Sequence, residues 1–232
     1  MLVGLKEYDT YMFFRQNVTD LVEEADRMVE TAGNGAPVHD PKTYYKAETN
    51  ADGTVRAYRF PRPDPLDRRS NDTILNMLDN VGCRYGDGER TRVDVAVAHW
   101  RGRRGERIAG ALGDLKDDGC RVRVITARAY TEGDEAASLD AGVRDELNAQ
   151  GLDWAYTGAK HSLHSKYILI DGYYDGARHK VVVTGSPNFT RAALRDRDET
   201  MVRVYDDALY DDYLENFGRL WVCVHGGCPQ DE

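Results

Sequence analysis

Apolar residues recur along this chain in two rhythms. From Asn71 onward, short β-branched runs alternate with longer stretches whose apolar residues stand three and four apart. The strand-like runs are Val93–Ala98, Val122–Ile125, Tyr167–Ile170, His179–Thr184 and Thr200–Tyr205. The helical stretches carry Ile74, Leu75 and Leu78; Ile108, Ala111, Leu112 and Leu115; Leu139, Val143 and Leu147; and Tyr210, Tyr213, Leu214 and Phe217. Asn71-Asp72 stands before the first of these as a helix N-cap. This alternation predicts an α/β fold, a three-layer α/β/α sandwich around a mixed sheet.

The pattern also divides the chain. Residues 1–31 read as a helix, with Val18, Leu21, Val22, Ala25, Met28 and Val29 at helical spacing. Residues 32–70 are rich in Gly, Pro, Asn and Asp, with one strand-like piece, TVRAYRF, ending at Pro61. They read as a linker or extended arm. The compact domain spans residues 71–222, and residues 223–232 form a tail.

Composition narrows the function. Hydrophobic residues make up 41% of the 232, enough for a real core, and no apolar run approaches the ~18 residues of a membrane-spanning helix. The first residues lack the basic start and apolar core of a signal peptide. The net charge of −9 disfavours a protein whose main task is gripping nucleic acid. The segment Arg101–Arg107 (RGRRGER) reads as the solvated first turn of a helix. Of four cysteines, Cys83 and Cys120 each precede a strand of one βαβ unit, where a bridge is geometrically reasonable, and Cys223 with Cys228 would close a small loop. An even count suits an exported protein, although free thiols in the cytosol would look the same. The C-x4-C spacing has no matching pair and is poor support for zinc.

The candidate chemistry lies in HSKYILID followed by GSPNF. His164, Lys166 and Asp171 form an H-x-K-x4-D pattern, with Gly185, Ser186 and Asn188 after it. Two residues apart at the start of a strand, His164 and Lys166 share a face. An imidazole, an ammonium and an amide donor together suit a phosphodiester. A Gly-rich turn at residues 172–176 joins two strands into a hairpin that delivers the GSPN turn beside His164. Glu199, at the mouth of the next strand, is placed to bond the second ring nitrogen of His164. His99, His161, His179 and His225 have no lysine two positions on and read as structural. Ser165 lacks a G-x-S-x-G elbow and is discounted as a nucleophile.

On these residues the chain resembles the phospholipase D superfamily, whose hallmark is H-x-K-x4-D followed by G-S-x-N. Here thirteen residues separate Asp171 from Gly185, where six are usual, which reads as a longer hairpin. The resemblance covers about residues 71–220. It implies covalent catalysis through a phosphohistidine, with Lys166, Ser186 and Asn188 holding the phosphate, Glu199 orienting His164, Asp171 in support, and neither a cofactor nor a metal.

Such enzymes build one site from two H-K-D motifs, and this chain has one. The second would come from another lobe or from a second copy of the chain. Tyr8-Asp9-Thr10-Tyr11-Met12 is echoed by Tyr210-Asp211-Asp212-Tyr213-Leu214, as if each lobe closed on the same helix. The chain then resembles the C-terminal lobe of an exported bacterial phospholipase D, with His164 as acid/base, or as nucleophile in a homodimer. The expected partners are a phospholipid such as phosphatidylcholine, and transiently a membrane surface. The resemblance implies secretion, and a complete chain would be cytoplasmic. The alternatives are a homodimeric nuclease and a catalytically incomplete half-lobe.

Overall fold

The computed structural model describes residues 46–62, 71–128, 138–158 and 162–227. The N-terminal helix with its Tyr8–Met12 echo, His161 and Cys228 lie outside the described residues.

A mixed sheet forms the centre. Its strands are β1 (Lys46–Thr49), β2 (Val55–Arg59), β3 (Val81–Gly82), β6 (Arg92–Val97), β7 (Arg121–Thr126), β8 (Asp153–Tyr156), β9 (Lys166–Tyr174), β10 (Ala177–Gly185) and β11 (Thr200–Tyr205). The main path runs β1-β2-β11-β10-β9-β6-β7-β8, with β3 pairing β9 at one end. β6, β7 and β8 are parallel, and the other pairings are antiparallel. A small separate ribbon pairs β4 (Arg84–Tyr85) with β5 (Glu89–Arg90).

Period-two alternation sorts the strand residues between two cores. Val93, Val95, Val97, Ile168, Ile170, Val181 and Val183 face one side, where they meet helices α1 (Thr73–Leu78), α2 (Gly102–Asp117), α3 (Ala141–Ala149) and α4 (Arg191–Arg195). Ala96, Tyr167, Leu169, Val182 and Val204 face the other, under helix α5 (Asp207–Val222). The result is the expected α/β sandwich. Buried Asp94 adds a polar anchor on the α5 side. It pairs with Arg92 at 2.7 Å and Arg123 at 2.8 Å, and the Arg123 guanidinium lies 4.8 Å over the Phe217 ring of α5.

Three local features follow from sequence. Asp72 caps α1 by accepting from the Ile74 and Leu75 N–H groups. The hairpin of β9 and β10 pairs continuously from Tyr167–Thr184 to Tyr174–Ala177, so the thirteen-residue gap is filled by strand and a tight turn. Cys83 and Cys120 are disulfide-linked across 37 residues, and Cys223 is disulfide-bonded as well. Replacing both Cys83 and Cys120 with Ser should cost about 3–4 kcal/mol from loop entropy, read as a lower denaturant midpoint.

One boundary differs. Residues 46–59 belong to the sheet, where the sequence pattern sets a linker or arm. β2 pairs along β11 from Thr200–Arg59 to Val204–Val55 and buries Val55, Ala57 and Tyr58. Without it, β11 would present an open edge. Turn-rich flanks around TVRAYRF mask a pairing with residues nearly 150 positions away.

Candidate functional site

The sheet brings the catalytic candidates to one edge. β9 starts at Lys166 and β10 ends at Gly185, so their antiparallel pairing sets His164 and Lys166 beside the GSPN turn. Around them opens a cleft of about 900 Å³, lined by His164, Lys166, Ser186 and Asn188 on one side and by Asp212 and Tyr213 of α5 on the other. Ser165 also lines it.

His164 is exposed and Lys166 half-buried. Lys166 Nζ donates to the His164 carbonyl at 2.6 Å and stands 3.2 Å from Nδ1 and 3.3 Å from Nε2 of the same residue. Ammonium and imidazole thus converge on one spot. Burial lowers the Lys166 pKa, and the charge of Glu199 pulls it back up. A partly desolvated cation of this kind favours an anionic ligand.

The turn is held so that its donors stay available. Asn188 Oδ1 accepts from the His99 backbone N–H at 3.1 Å, which leaves its amide N–H groups without a hydrogen bond among the described residues. Ser186 Oγ accepts from the Thr200 N–H at 3.2 Å and keeps its own proton for donation. At Gly185 an added Cβ would collide with the Thr200 carbonyl and stand 2.7 Å from Met201 Cα. Gly185→Ala should therefore pry β10 from β11 and lower stability by about 2–4 kcal/mol, with activity falling in parallel; an unchanged melting temperature would contradict this.

Two candidates stand differently from the sequence expectation. Asp171 is not in the cleft. It lies five residues along β9 from Lys166, about 17 Å at strand rise, opposite Lys180 and Arg92, and its ion pair is with Arg178 at 3.5 Å. Strand geometry forces this separation, and Asp171 sits within β9, paired on both sides. Glu199 makes no hydrogen bond to His164. Its backbone carbonyl accepts from Phe60 N–H at 2.9 Å, and its carboxylate acts on Lys166.

Two other residues were passed over. Arg104, within the arginine run read as solvated, is only 3% exposed. It donates to both carboxylate oxygens of fully buried Asp72, at 2.6 and 3.0 Å, and to the carbonyls of Asn188 at 2.9 Å and Thr190 at 3.0 Å. It fastens the GSPN turn to the α1 cap from behind. The signal was present: Arg104 stands four residues before Ile108 on the apolar stripe of α2. His99, read as structural, is clamped by Asn188 and by Phe189, whose N–H donates to its carbonyl at 2.9 Å. Burial, and then the charges of Arg101, Lys166, His164 and Arg197, lower its pKa. Its remoteness in sequence from His164 hid this.

Among the described residues, no group of three or more His, Cys, Asp or Glu side chains is gathered to hold a metal ion. No described helix is long and apolar enough to cross a membrane.

Comparison with known proteins adds to this geometry. Residues 89–221 match the family model described as cardiolipin synthase, PLD-like domain. A mitochondrial cardiolipin hydrolase of Xenopus tropicalis is 30% identical over 114 residues, 49% of this chain and 48% of that protein. The human mitochondrial cardiolipin hydrolase is 26% identical over 115 residues, 50% of this chain and 40% of that protein. The matched stretch thus spans less than half the length of either relative. Among solved structures, Nuc from Salmonella typhimurium, a phospholipase D family member, superposes with a TM-score of 0.51 at 19% identity, covering 72% of this chain and 93% of that one. At that identity the likeness is one of fold.

Proposed function

Because the chain belongs to the phospholipase D-like family whose model covers residues 89–221, we propose that it is a phosphodiesterase that cleaves the headgroup phosphodiester of phospholipids through a phosphohistidine at His164. The observation that carries this reading is the convergence of His164, Lys166, Ser186 and Asn188 on one cleft.

A ring nitrogen of His164 attacks phosphorus, and the bond from phosphorus to the headgroup oxygen breaks. Lys166, the Asn188 amide and the Ser186 hydroxyl bind the non-bridging oxygens and stabilise the charge that builds there. The headgroup oxygen takes a proton from a second imidazole. Water then attacks phosphorus, returns a proton to that imidazole, and releases phosphatidate and free His164. The second imidazole comes from another H-K-D motif, in a second copy of this chain or in a further lobe. Were this chain the C-terminal lobe of a longer enzyme, the two histidines would exchange roles.

The Asp212 carboxylate and the Tyr213 ring on the opposite wall suit a cationic headgroup such as choline, which supports a phospholipid over a nucleic acid. The same reading places the chain in an oxidising compartment. Its support is the Cys83–Cys120 bridge rather than the relatives, which are mitochondrial by name.

The test is choline release from phosphatidylcholine vesicles, measured over a hundredfold range of protein concentration beside single-stranded DNA cleavage. Specific activity on vesicles that rises with concentration is the expected result, because dimers complete the site. Cleavage of DNA without choline release would overturn the lipid assignment.

A further inference from the structure

Asn216 of α5 is exposed and lines the cleft, yet asparagine in the middle of a helix is a poor choice for the helix itself. A tertiary contact supplies the reason. The Tyr167 hydroxyl donates to Asn216 Oδ1 at 2.8 Å. Tyr167 is only 4% exposed. Burial, and then the Asp94 charge and the Tyr213 phenol, raise its pKa far above the ordinary value. The phenol therefore keeps its proton, and among the described residues Asn216 Oδ1 is the acceptor that takes it. The carbonyl end of the amide is pinned to the floor, and the N–H end is turned away from it into the open cleft. Tyr213 steadies this lock. Its ring meets that of Tyr167 edge to face, with centroids 5.1 Å apart. Its hydroxyl donates to Thr184 Oγ1 at 3.4 Å, which donates to the Lys166 carbonyl at 3.2 Å.

We propose that Asn216 is a specificity-determining residue whose amide N–H groups bind an uncharged acceptor oxygen on the alcohol portion of the substrate, with Tyr167 as the positioning residue that fixes the amide. This rests on the phosphodiesterase reading and adds a contact to it.

Three observations converge on it. First, the arrangement is repeated across the cleft. The His99 N–H holds Asn188 Oδ1 and the Tyr167 hydroxyl holds Asn216 Oδ1, so two pinned amides line one space. Second, the Asn216 N–H groups have no hydrogen bond among the described residues, although Asp212 stands one turn before on the same side of α5. Neighbouring Glu215 is taken by Arg219. Third, the charges decide which oxygen fits. Lys166, Ser186 and Asn188 serve the phosphate from the other wall. The carboxylates of Asp212 and Glu215 flank Asn216 and repel an anion there. A neutral ether, ester or hydroxyl oxygen close to the phosphate meets no such penalty.

Calorimetric binding of two isosteric monoesters, butyl phosphate and methoxyethyl phosphate, to the intact chain tests this. They differ only in a methylene replaced by an ether oxygen, which accepts a hydrogen bond and donates none. Asn216→Ala should shift the affinity ratio by about fivefold against the ether, the size of one neutral hydrogen bond. Its affinity for butyl phosphate should stay within about twofold of wild type. Tyr167→Phe should shift the ratio the same way by a smaller factor, because a freed amide turns its oxygen to the cleft part of the time. A merely structural role for either residue would weaken both ligands alike. An unchanged ratio in Asn216→Ala would overturn the contact, and one in Tyr167→Phe would overturn the lock. Hydrolysis of soluble dibutanoyl phosphatidylcholine by the same proteins separates this inference from the reading beneath it. Hydrolysis with an unchanged ratio keeps the phosphodiesterase and removes the contact. A shifted ratio without hydrolysis at any protein concentration keeps the contact and removes the phosphodiesterase. If neither monoester binds, both fall.

Discussion

His164→Ala should abolish phosphodiester cleavage, with kcat falling by roughly 10³-fold or more, while the melting temperature stays within about 1 °C of wild type. His164 is exposed at the mouth of β9, so the core loses nothing when its ring is removed. Lys166→Met should reduce kcat by about 10²–10³-fold, the range for a lost charge-stabilising donor. Lys166→Arg should not restore it, because the planar guanidinium cannot reproduce the point contact that Nζ makes with the His164 carbonyl and ring. Single-turnover kinetics on a soluble phosphodiester would separate the two. His164→Ala forms no covalent intermediate, whereas Lys166→Met forms it slowly. Full activity in His164→Ala would remove that residue from the chemistry altogether.

The second large effect lies behind the site. Asp72→Ala should cost about 3–5 kcal/mol, roughly 10 °C in melting temperature, because it strips the α1 cap and leaves Arg104 charged, 3% exposed and unpaired. Arg104→Met should cost less in packing but should release the Asn188 and Thr190 carbonyls, so activity should fall further than stability alone explains. A pH dependence accompanies the pair. Burial alone would raise the Asp72 pKa. The Arg104 charge, its hydrogen bond and the Leu75 and Ile74 N–H groups outweigh burial and hold it below the ordinary carboxylate value. A depressed folded pKa stabilises the fold above the unfolded value near ~3.9, and that contribution is lost as pH falls through the folded one. Acid unfolding of Asp72→Ala should accordingly be shallower than that of wild type, as followed by circular dichroism.

How much of this was legible in the chain varies from element to element. The sandwich was, because burial on two faces writes itself into the spacing of Val93, Val95 and Val97 and of Ile108, Leu112 and Leu115. The His164–Lys166 pair was too, since the two are near neighbours at the entry to β9 and meet through a local contact. The GSPN turn was legible because the hairpin that delivers it is a local structure.

Contacts between distant segments were not. Asp171 looked like part of the site because the motif names it in one breath with His164, yet five strand residues carry it away from the cleft. β2 looked like an arm because nothing in its own residues announces β11 as its partner. Arg104 looked solvated because its counter-charge, Asp72, lies 32 positions away and its other partners 84 and 86. The bond from His99 N–H to Asn188 joins segments 89 positions apart. Local periodicity and backbone geometry act over a few residues and can be read in order along the chain. Charge pairing and edge covering act through space, and their partners are chosen only when the sheet closes.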